Sequence, residues 1–440
     1  MTPTILTIRR ASRRQTTVGK ISIDDVQLGM VPGQDVSGQN GMVLAARGTP
    51  LSEEHLRALR AFGVRYVDVA DGGTAAGVED AAEAAAENEA RCREMLRPRF
   101  AALDLSTAFG KEVFDLAVRR AADCVISENL DLDAFQDAPL LSTLPPEQHL
   151  FGARGIAPDS LVTGEVELAT LPEIYVRLLR ALHSENTSAQ ELAGIIGRDP
   201  SLTAKLLKLV NSPHFASRTP VDTILRAVSM VGQTELTSLI LGLAALSSFS
   251  DIAPGLCDMR AFWRHAAACG TYAGLLAGFC PGAAGERVFV GGLLHDIGQL
   301  VILRKLPAAA GRALLLSRVE CLPISEAETA VLGFDHAAVG RVLLARWNFP
   351  DTLADMAANH HKPDGRPESR ETALVHIADI LATAWAWPAF GGAPVPALHE
   401  KAWASLGLSE TVLAEVAATG DNRIREIESV FFTESTGLAQ

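Results

Sequence analysis

Five histidines and two aspartates lie at intervals along the second half of the chain, most of them beside apolar residues. The seven residues and their surroundings are His265 in FWRHAAA, His295 and Asp296 in GGLLHDIGQL, His336 in GFDHAAVG, His360 and His361 in ANHHKP, and Asp379 in HIADIL. Imidazole nitrogens and carboxylate oxygens are the ligands that hold Fe, Mn, Zn or Mg, and an aspartate has two oxygens with which to bridge a pair of ions. A single histidine on an apolar helix face is more often a core residue than a ligand. The order H…HD…H…HH…D as a whole therefore carries the prediction of a metal site.

Helices must bring these residues together, because the second half of the chain has the sequence signals of a helical bundle. Ala and Leu dominate and aromatic residues make up 5%, a composition that favours helices over sheets. Ser188 and Glu191 form a capping box, and Asp199 followed by Pro200 predicts the start of the next helix. Asn211 ends that helix, either as a turn residue or as a contact to a ligand or partner. Further helices are predicted at residues 223–231, 234–249, 260–279, 286–304, 325–331, 335–347, 350–361 and 371–386.

The first part of the chain has the pattern of a small α+β module. Apolar and polar residues alternate around Gly turns, and SEEHLRALRAFG predicts one short helix that begins after Ser52 and ends at Gly63. A flexible joint at Asp71–Gly77 precedes an Ala- and Glu-rich connecting helix, and a second helix follows at about 106–127. The predicted fold class is mainly α. The predicted domains are a disordered basic tail at 1–17, the α+β module at 18–72, a helical connector and linker at 73–160, the bundle at 161–390 and a C-terminal helical extension at 391–440.

Composition excludes several classes of function. The chain has 39 basic and 52 acidic residues, for a net charge of −13, so we expect no nucleic-acid partner. No apolar run reaches the ~18 residues that a membrane-spanning helix needs, and we expect no membrane span. The six cysteines are far apart without a CxxC pair, which is typical of reduced thiols and predicts a cytoplasmic location.

Three segments identify a family resemblance. The runs LATLPEIYVRLLRAL, ELAGIIGRDPSLTAKLLKLVNSPHF and ILRAVSMVGQTELTSLIL closely resemble the HDOD family, the HD-related output domains of bacterial signalling proteins. The resemblance covers about residues 165–390 and includes GLLHDIGQL and the LGFDHAAVGRVLLARWNFP run that leads to the HH pair. The N-terminal module is similar to the segment that precedes the related HD-GYP phosphodiesterases.

This resemblance implies an all-helical HD-type bundle but two different activities. HD-GYP enzymes hydrolyse cyclic di-GMP at a site of two or three metal ions with the same residue order. HDOD proteins are regulatory outputs for which catalysis is lost or not shown. Carried over residue by residue, the resemblance makes all seven residues metal ligands for one to three divalent ions per chain, and it leaves the catalytic residues unknown.

Two departures favour the regulatory activity. The chain reads KPDGRPESRET where HD-GYP enzymes have a Gly-Tyr-Pro loop, and Gln299 stands where they have a Lys, so a cation suited to a phosphate oxygen is lost. Gln299, Lys362 and His376 are candidates to contact the ligands or a bound phosphate.

Two hypotheses follow from the sequence. In the first, the chain is a signalling output that binds partner proteins or a cyclic dinucleotide, with a metal in a structural role. In the second, it is a metal-dependent phosphohydrolase of the cyclic di-GMP phosphodiesterase type. Whether the protein is an enzyme stays open between them, and the Ala/Glu helix also allows a homodimer.

Overall fold

The computed structural model forms two compact units, which are described separately. The first comprises Met1–Leu96 and Val118–Ala138, and the second comprises Arg97–Ala117 and Pro139–Gln440. The structure describes residues 18–23, 26, 28–37, 43–52, 55–57, 59, 64, 66–70, 75–128, 155–162, 177–178, 181, 187–212, 215, 220–247, 249, 252, 256–364, 369–386 and 393–431.

The first unit contains the small α+β module that the sequence predicts. Strand β1 (Val18–Ser22) pairs antiparallel with β4 (Tyr66–Ala70), and β2 (Val36–Ser37) pairs antiparallel with β3 (Val43–Ala45). The Ser52 hydroxyl accepts a hydrogen bond from the backbone N–H of His55 at 3.2 Å, as an N-cap does. Gly63 lies outside the described residues, as does the predicted tail at 1–17. The module is held by a small apolar core of Val26, Val36, Leu44, Ala45, Leu51, Leu56, Leu59 and Val67.

Two long helices follow the module. Helix α1 spans Ala75–Leu96, a 3₁₀ turn spans Arg97–Phe100, and α2 spans Ala108–Glu128. The prediction of a flexible joint up to Gly77 is wrong for its last three residues, because α1 already begins at Ala75, where Ala-rich sequence favours the helix. The first four residues of that joint and most of the predicted linker lie outside the described residues. The proposed domain boundaries stay a prediction.

The second unit is a helical bundle, which confirms the predicted fold class. The capping box of Ser188 and Glu191 is formed, and the Asp199 carboxylate accepts the N–H of Leu202 at 3.0 Å. The Asn211 amide bonds both backbone groups of Val221, at 2.7 Å each, so it is a turn residue here. The helices of this unit are α3 (Pro158–Leu161), α4 (Ala189–Ile196), α5 (Pro200–Val210), α6 (Ile224–Val231), α7 (Gln233–Ser247), α8 (Met259–Ala277), α9 (Gly285–Leu294), α10 (Ile297–Lys305), α11 (Pro307–Val319), α12 (Ile324–Leu332), α13 (His336–Arg346), α14 (Asp351–Asn359), α15 (Arg370–Trp385), α16 (Glu400–Leu406) and α17 (Thr411–Phe431).

The bundle differs from the prediction at one helix break and at two added helices, the short α3 and the longer α11. The single helix predicted at 286–304 is wrong, because the chain leaves the helix at His295 and Asp296 and divides it into α9 and α10. Helix α11 was not predicted at all. Helices α16 and α17 lie within the segment at 391–440, whose assignment as a separate C-terminal extension stays a prediction. Among the described residues, no helix is both long and apolar enough to span a membrane.

Candidate metal centre

Six elements bring the seven predicted residues to one place in the bundle. His265 lies on α8, His295 and Asp296 form the break between α9 and α10, and His336 is the first residue of α13. His360 and His361 follow the end of α14. Asp379 lies in the middle of α15.

Close backbone packing sets the distances between these helices. A Cβ atom on Gly292 of α9 would lie 2.7 Å from the Gly270 Cα of α8, and one on Gly298 of α10 would lie 2.1 Å from the His336 carbonyl oxygen. Both values are far below van der Waals contact, so these helices approach each other only because glycine has no side chain. Gly292 thus sets the spacing of the helices that carry His265 and His295. Gly298 does the same for the elements that carry Asp296 and His336.

Asp296 lies at the centre of the cluster. Its Oδ1 atom is 2.9 Å from the Nε2 atom of His336, 3.3 Å from that of His295 and 3.5 Å from that of His360. Its second oxygen, Oδ2, is 3.6 Å from the Nε2 atom of His265. One carboxylate therefore faces imidazoles from four different elements.

The other residues complete the cluster on either side of Asp296. The His265 Nε2 atom is 3.2 Å from Asp379 Oδ1 and 3.3 Å from His295 Nε2. The His361 Nε2 atom is 2.9 Å from His336 Nε2, and its Nδ1 atom is 4.0 Å from Asp379 Oδ2. All seven residues predicted from the sequence thus meet, while metal ligation itself stays a prediction.

In three of the histidines, the Nδ1 atom, which faces away from the cluster, is already hydrogen-bonded. This bond fixes the direction of the lone pair on the other ring nitrogen, Nε2. His295 Nδ1 lies 2.7 Å from the Gly292 carbonyl oxygen, and His360 Nδ1 lies 2.8 Å from that of Ala357. A carbonyl oxygen only accepts, so both Nδ1 atoms carry the proton. In the neutral imidazoles, each Nε2 lone pair then points into the cluster. His360 Nε2 is buried and makes no hydrogen bond with any described residue.

Glu328 fixes His336 in the same way, and sequence analysis missed it. One oxygen, Oε2, accepts both the backbone N–H of His336 at 2.8 Å and the Nδ1–H at 2.6 Å. Glu328 as a whole is 2% exposed. A carboxylate behind a ligating imidazole fixes the ring and raises the basicity of its inner nitrogen. The available signal was an acid four residues before the buried Leu332, hence on the apolar face of α12.

Attraction between the carboxylates and the protonated imidazoles stabilises the metal-free cluster. Burial by itself would raise the pKa of Asp296, but the His295 and His336 imidazoles hold that pKa well below its usual range. Burial would lower the pKa of His336, but Glu328 and Asp296 raise it well above the usual value. Burial, together with the neighbouring His360 and His336, lowers the pKa of His361 well below its usual range. The buried carboxylates thus need positive charge beside them, which protons or metal ions can supply.

The donor set fits metal ions. Two ligand atoms that share one ion at ~2.1 Å lie about 3.0 Å apart at a right angle and about 3.4 Å apart at the tetrahedral angle. Most of the distances given above fall in or near that interval. Three groups of donors have ligand atoms that all lie within 4.8 Å of one another: His336, His360 and His361; His265, His295 and Asp296; His295, His360 and Asp379.

Two side chains of the cluster are partly exposed to solvent. The Asp296 and His361 side chains are 14% and 12% exposed, whereas those of His295 and His336 are fully buried. Any ligand from solution would therefore meet Asp296 and His361 first.

The three residues predicted to assist the site have different positions. Gln299 is half-buried on α10, where its backbone N–H donates to the Asp296 carbonyl oxygen at 2.9 Å. Lys362 is exposed next to the HH pair. His376 is buried with both ring nitrogens bonded to backbone groups, so it has no nitrogen left for a metal.

Comparison with known proteins gives one family match. The model of the HDOD domain matches residues 168–363. An uncharacterised protein of Treponema pallidum is 26% identical over 216 residues, which are 48% of this chain and 41% of that protein. The chain thus spans less than half the length of this curated relative.

Solved structures give further similarities. An HDOD domain protein of unknown function from Geobacter sulfurreducens is 24% identical, with 60% of this chain and 94% of that one covered and a TM-score of 0.47. A protein from Shewanella amazonensis, provisionally assigned as a phosphohydrolase, is 22% identical, with 59% and 94% covered and a TM-score of 0.47. A protein from Marinobacter aquaeolei, provisionally assigned to signal transduction, is 20% identical, with 68% of each chain covered and a TM-score of 0.49. At these values the similarities assign no activity to this chain.

Proposed function

Since residues 168–363 form an HDOD domain, we propose that the chain is a signal-transduction output protein whose bundle binds divalent metal ions and which acts by binding a partner protein or a cyclic dinucleotide. The proposal includes a cytoplasmic location. All six cysteines lie in the described part of the chain and none is paired in a disulfide, in keeping with a reducing compartment.

One observation carries the metal site. Asp296 Oδ1 lies 3.3 Å from His295 Nε2 and 3.5 Å from His360 Nε2, and both imidazoles have their proton on the far nitrogen. In the neutral form of both imidazoles, electron pairs on three atoms would thus face one another in a buried space, which is unfavourable unless a proton or a metal ion lies among them. Metal ions bound by these residues and their neighbours would supply that positive charge in place of the protons that the ligands otherwise need.

The donor types restrict the ion and its number. Imidazole nitrogens suit Fe, Mn or Zn better than Mg, which prefers oxygen ligands and retains its waters. Two of the three donor groups share no residue: His336, His360 and His361 in one, and His265, His295 and Asp296 in the other. We therefore expect at most two ions in these groups, within the one to three implied by the family resemblance.

Two features support a binding role over hydrolysis. Gln299 stands beside Asp296 in place of a cation and contributes only a neutral amide. The segment after His361 begins with the exposed Lys362 and lacks the Gly-Tyr-Pro sequence. Both changes remove groups that would hold a phosphodiester against the ions during its cleavage.

A metal-dependent phosphohydrolase is the second candidate function. The observation that favours it is the partial exposure of Asp296 and His361, at 14% and 12%, because a purely structural metal site is usually closed. Divalent ions bound there would polarise a phosphoryl group and activate water. His361, whose pKa is lowered by burial and its neighbours, is neutral at pH 7 and would not repel the cations at this opening.

A paired assay separates the two functions. Protein loaded with Mn²⁺ or Fe²⁺ is titrated with cyclic di-GMP in a calorimeter, and turnover is measured with cyclic di-GMP and bis(p-nitrophenyl) phosphate. The proposal predicts metal binding without turnover of either compound. Turnover that is lost in Asp296→Ala and kept in Asp355→Ala, an exposed acid on α14, would overturn the binding role and establish the phosphohydrolase.

A further inference from the structure

We propose that His376 is a positioning residue for the metal centre and that the C-terminal segment at residues 393–431 holds His376 in place. This inference rests on the metal site of the proposed function. It assigns a role in the metal centre to a part of the chain beyond residue 363, where the family match ends.

Backbone groups fix the state of the His376 ring. The ring is 1% exposed on α15, and its Nε2 atom accepts the backbone N–H of His399 at 3.0 Å. Because an amide N–H only donates, Nε2 carries no proton. The proton is therefore on Nδ1, which donates to the His360 carbonyl oxygen at 2.6 Å.

The group that His376 holds is the peptide between two ligands of the site. The carbonyl of His360 belongs to the peptide unit that joins His360 to His361, and a peptide unit is planar. A fixed carbonyl direction therefore fixes the backbone from which both imidazoles extend. The His360 ring gains a second restraint from its own Nδ1–H, which donates to Ala357.

The start of the C-terminal extension provides the other side of this link. His399 is the N-cap residue of α16, and its carbonyl oxygen accepts the N–H groups of Ala402 and Trp403 at 2.9 and 3.2 Å. The direction of the His399 N–H thus depends on α16 being in place. If this N–H moved away, the His376 proton could shift to Nε2, and the Nδ1 lone pair would then repel the His360 carbonyl.

Arg99 anchors the chain just before His399. Its guanidinium donates to the Ala393 carbonyl oxygen at 3.0 Å and to the Thr383 carbonyl oxygen at 2.9 Å, and its own carbonyl accepts the N–H of Val395 at 2.7 Å. The Thr383 hydroxyl donates in turn to Asp379 Oδ1 at 3.4 Å. The segment is therefore tied to the region of the site at two points, and a partner that displaced it would weaken metal binding.

Substitutions at His376 separate its two hydrogen bonds. In His376→Asn, the amide nitrogen occupies the place of Nδ1 and still donates to His360. In His376→Gln, the amide lies near the place of Nε2, so contact with His399 is kept and the bond to His360 is lost. The readouts are the Zn²⁺ dissociation constant, by competition with a chromophoric chelator, and the visible spectrum of the Co²⁺-substituted protein.

We expect His376→Gln to bind Zn²⁺ about 10- to 100-fold more weakly than the wild type, as residues behind metal ligands do, with an altered Co²⁺ spectrum. His376→Asn should recover most of the affinity. A residue that served stability alone would lower the melting temperature of both metal-free variants and leave the dissociation constant and spectrum unchanged.

A matched pair tests the C-terminal segment. His399→Pro removes the backbone N–H that His376 accepts, and His399→Ala removes only the side chain. Severalfold weaker Zn²⁺ binding in the first variant alone supports the proposal. Equal affinities in the two variants, or in His376→Gln and the wild type, overturn it while the metal site stands. A wild-type protein that binds no Zn²⁺ overturns both.

Discussion

Replacement of Glu328 tests whether an acid behind His336 supports the metal site. Glu328→Gln keeps the size of the side chain and an acceptor oxygen but removes the charge that raises the basicity of the His336 ring. We expect metal binding to weaken by about 10- to 100-fold, which is about 1.4–2.8 kcal/mol. The free energy of unfolding of the metal-free protein should change less, since both hydrogen bonds to His336 can still form.

Glu328→Ala should have a larger effect on folding. It leaves two buried donors of His336 unpaired, the backbone N–H and the Nδ1–H, and each costs about 1–3 kcal/mol. The expected loss in the free energy of unfolding is therefore about 2–6 kcal/mol.

The assay combines urea unfolding with chelator competition, and the control lies on the same helix. Glu326→Gln changes an exposed acid of α12, so it should change stability by less than about 0.5 kcal/mol and leave metal binding unchanged. Metal dissociation constants that agree within twofold for wild type and Glu328→Gln would refute the role assigned to Glu328.

Three further predictions follow from the packing, the titration and the metal. Gly298→Ala places a Cβ atom 2.1 Å from the His336 carbonyl oxygen, so it should lower the free energy of unfolding by several kcal/mol and release metal. Gly194→Ala has no atom within 4 Å of its new Cβ and should stabilise α4 by up to about 1 kcal/mol. Urea unfolding of the two variants measures both changes. Burial lowers the pKa of His376 from 6.5 to about 4. Below about pH 6.5 the unfolded chain thus binds a proton at this residue that the folded chain does not bind, and the free energy of unfolding falls by ~3 kcal/mol on going to pH 4. If the free energy of unfolding of the wild type fell no more steeply with pH than that of His376→Asn, this prediction would be contradicted. Chelator treatment should lower the melting temperature, because free metal at 100 times its dissociation constant stabilises the folded state by about 2.7 kcal/mol; an unchanged melting temperature would count against a bound ion.

The sequence predicted best those features that local chemistry sets. Ser188 and Asp199 cap helices because each side chain accepts the backbone N–H of the third residue on. The seven residues of the cluster were found because their order along the chain is unusual, and the structure brings them together. Long-range geometry was not needed for either step.

Features that depend on contacts between distant residues, or that lack a local signal, were missed. Leu306 both ends α10 and begins α11 without a polar cap, so nothing in the sequence marked a new helix. The break at His295 and Asp296 interrupts an apolar run whose pattern is continuous. His376 was predicted from the sequence to lie beside the ligands, but its partners were not, because they are backbone groups 16 and 23 residues away that leave no trace in residue type.

Elemental analysis of protein purified without chelator tests the central claim most directly. One or two equivalents of Fe, Mn or Zn per chain should be present in the wild type and in Asp355→Ala, and absent from Asp296→Ala. A wild-type protein without bound metal, or an Asp296→Ala variant with the wild-type content, would contradict the claim that this cluster is a metal centre.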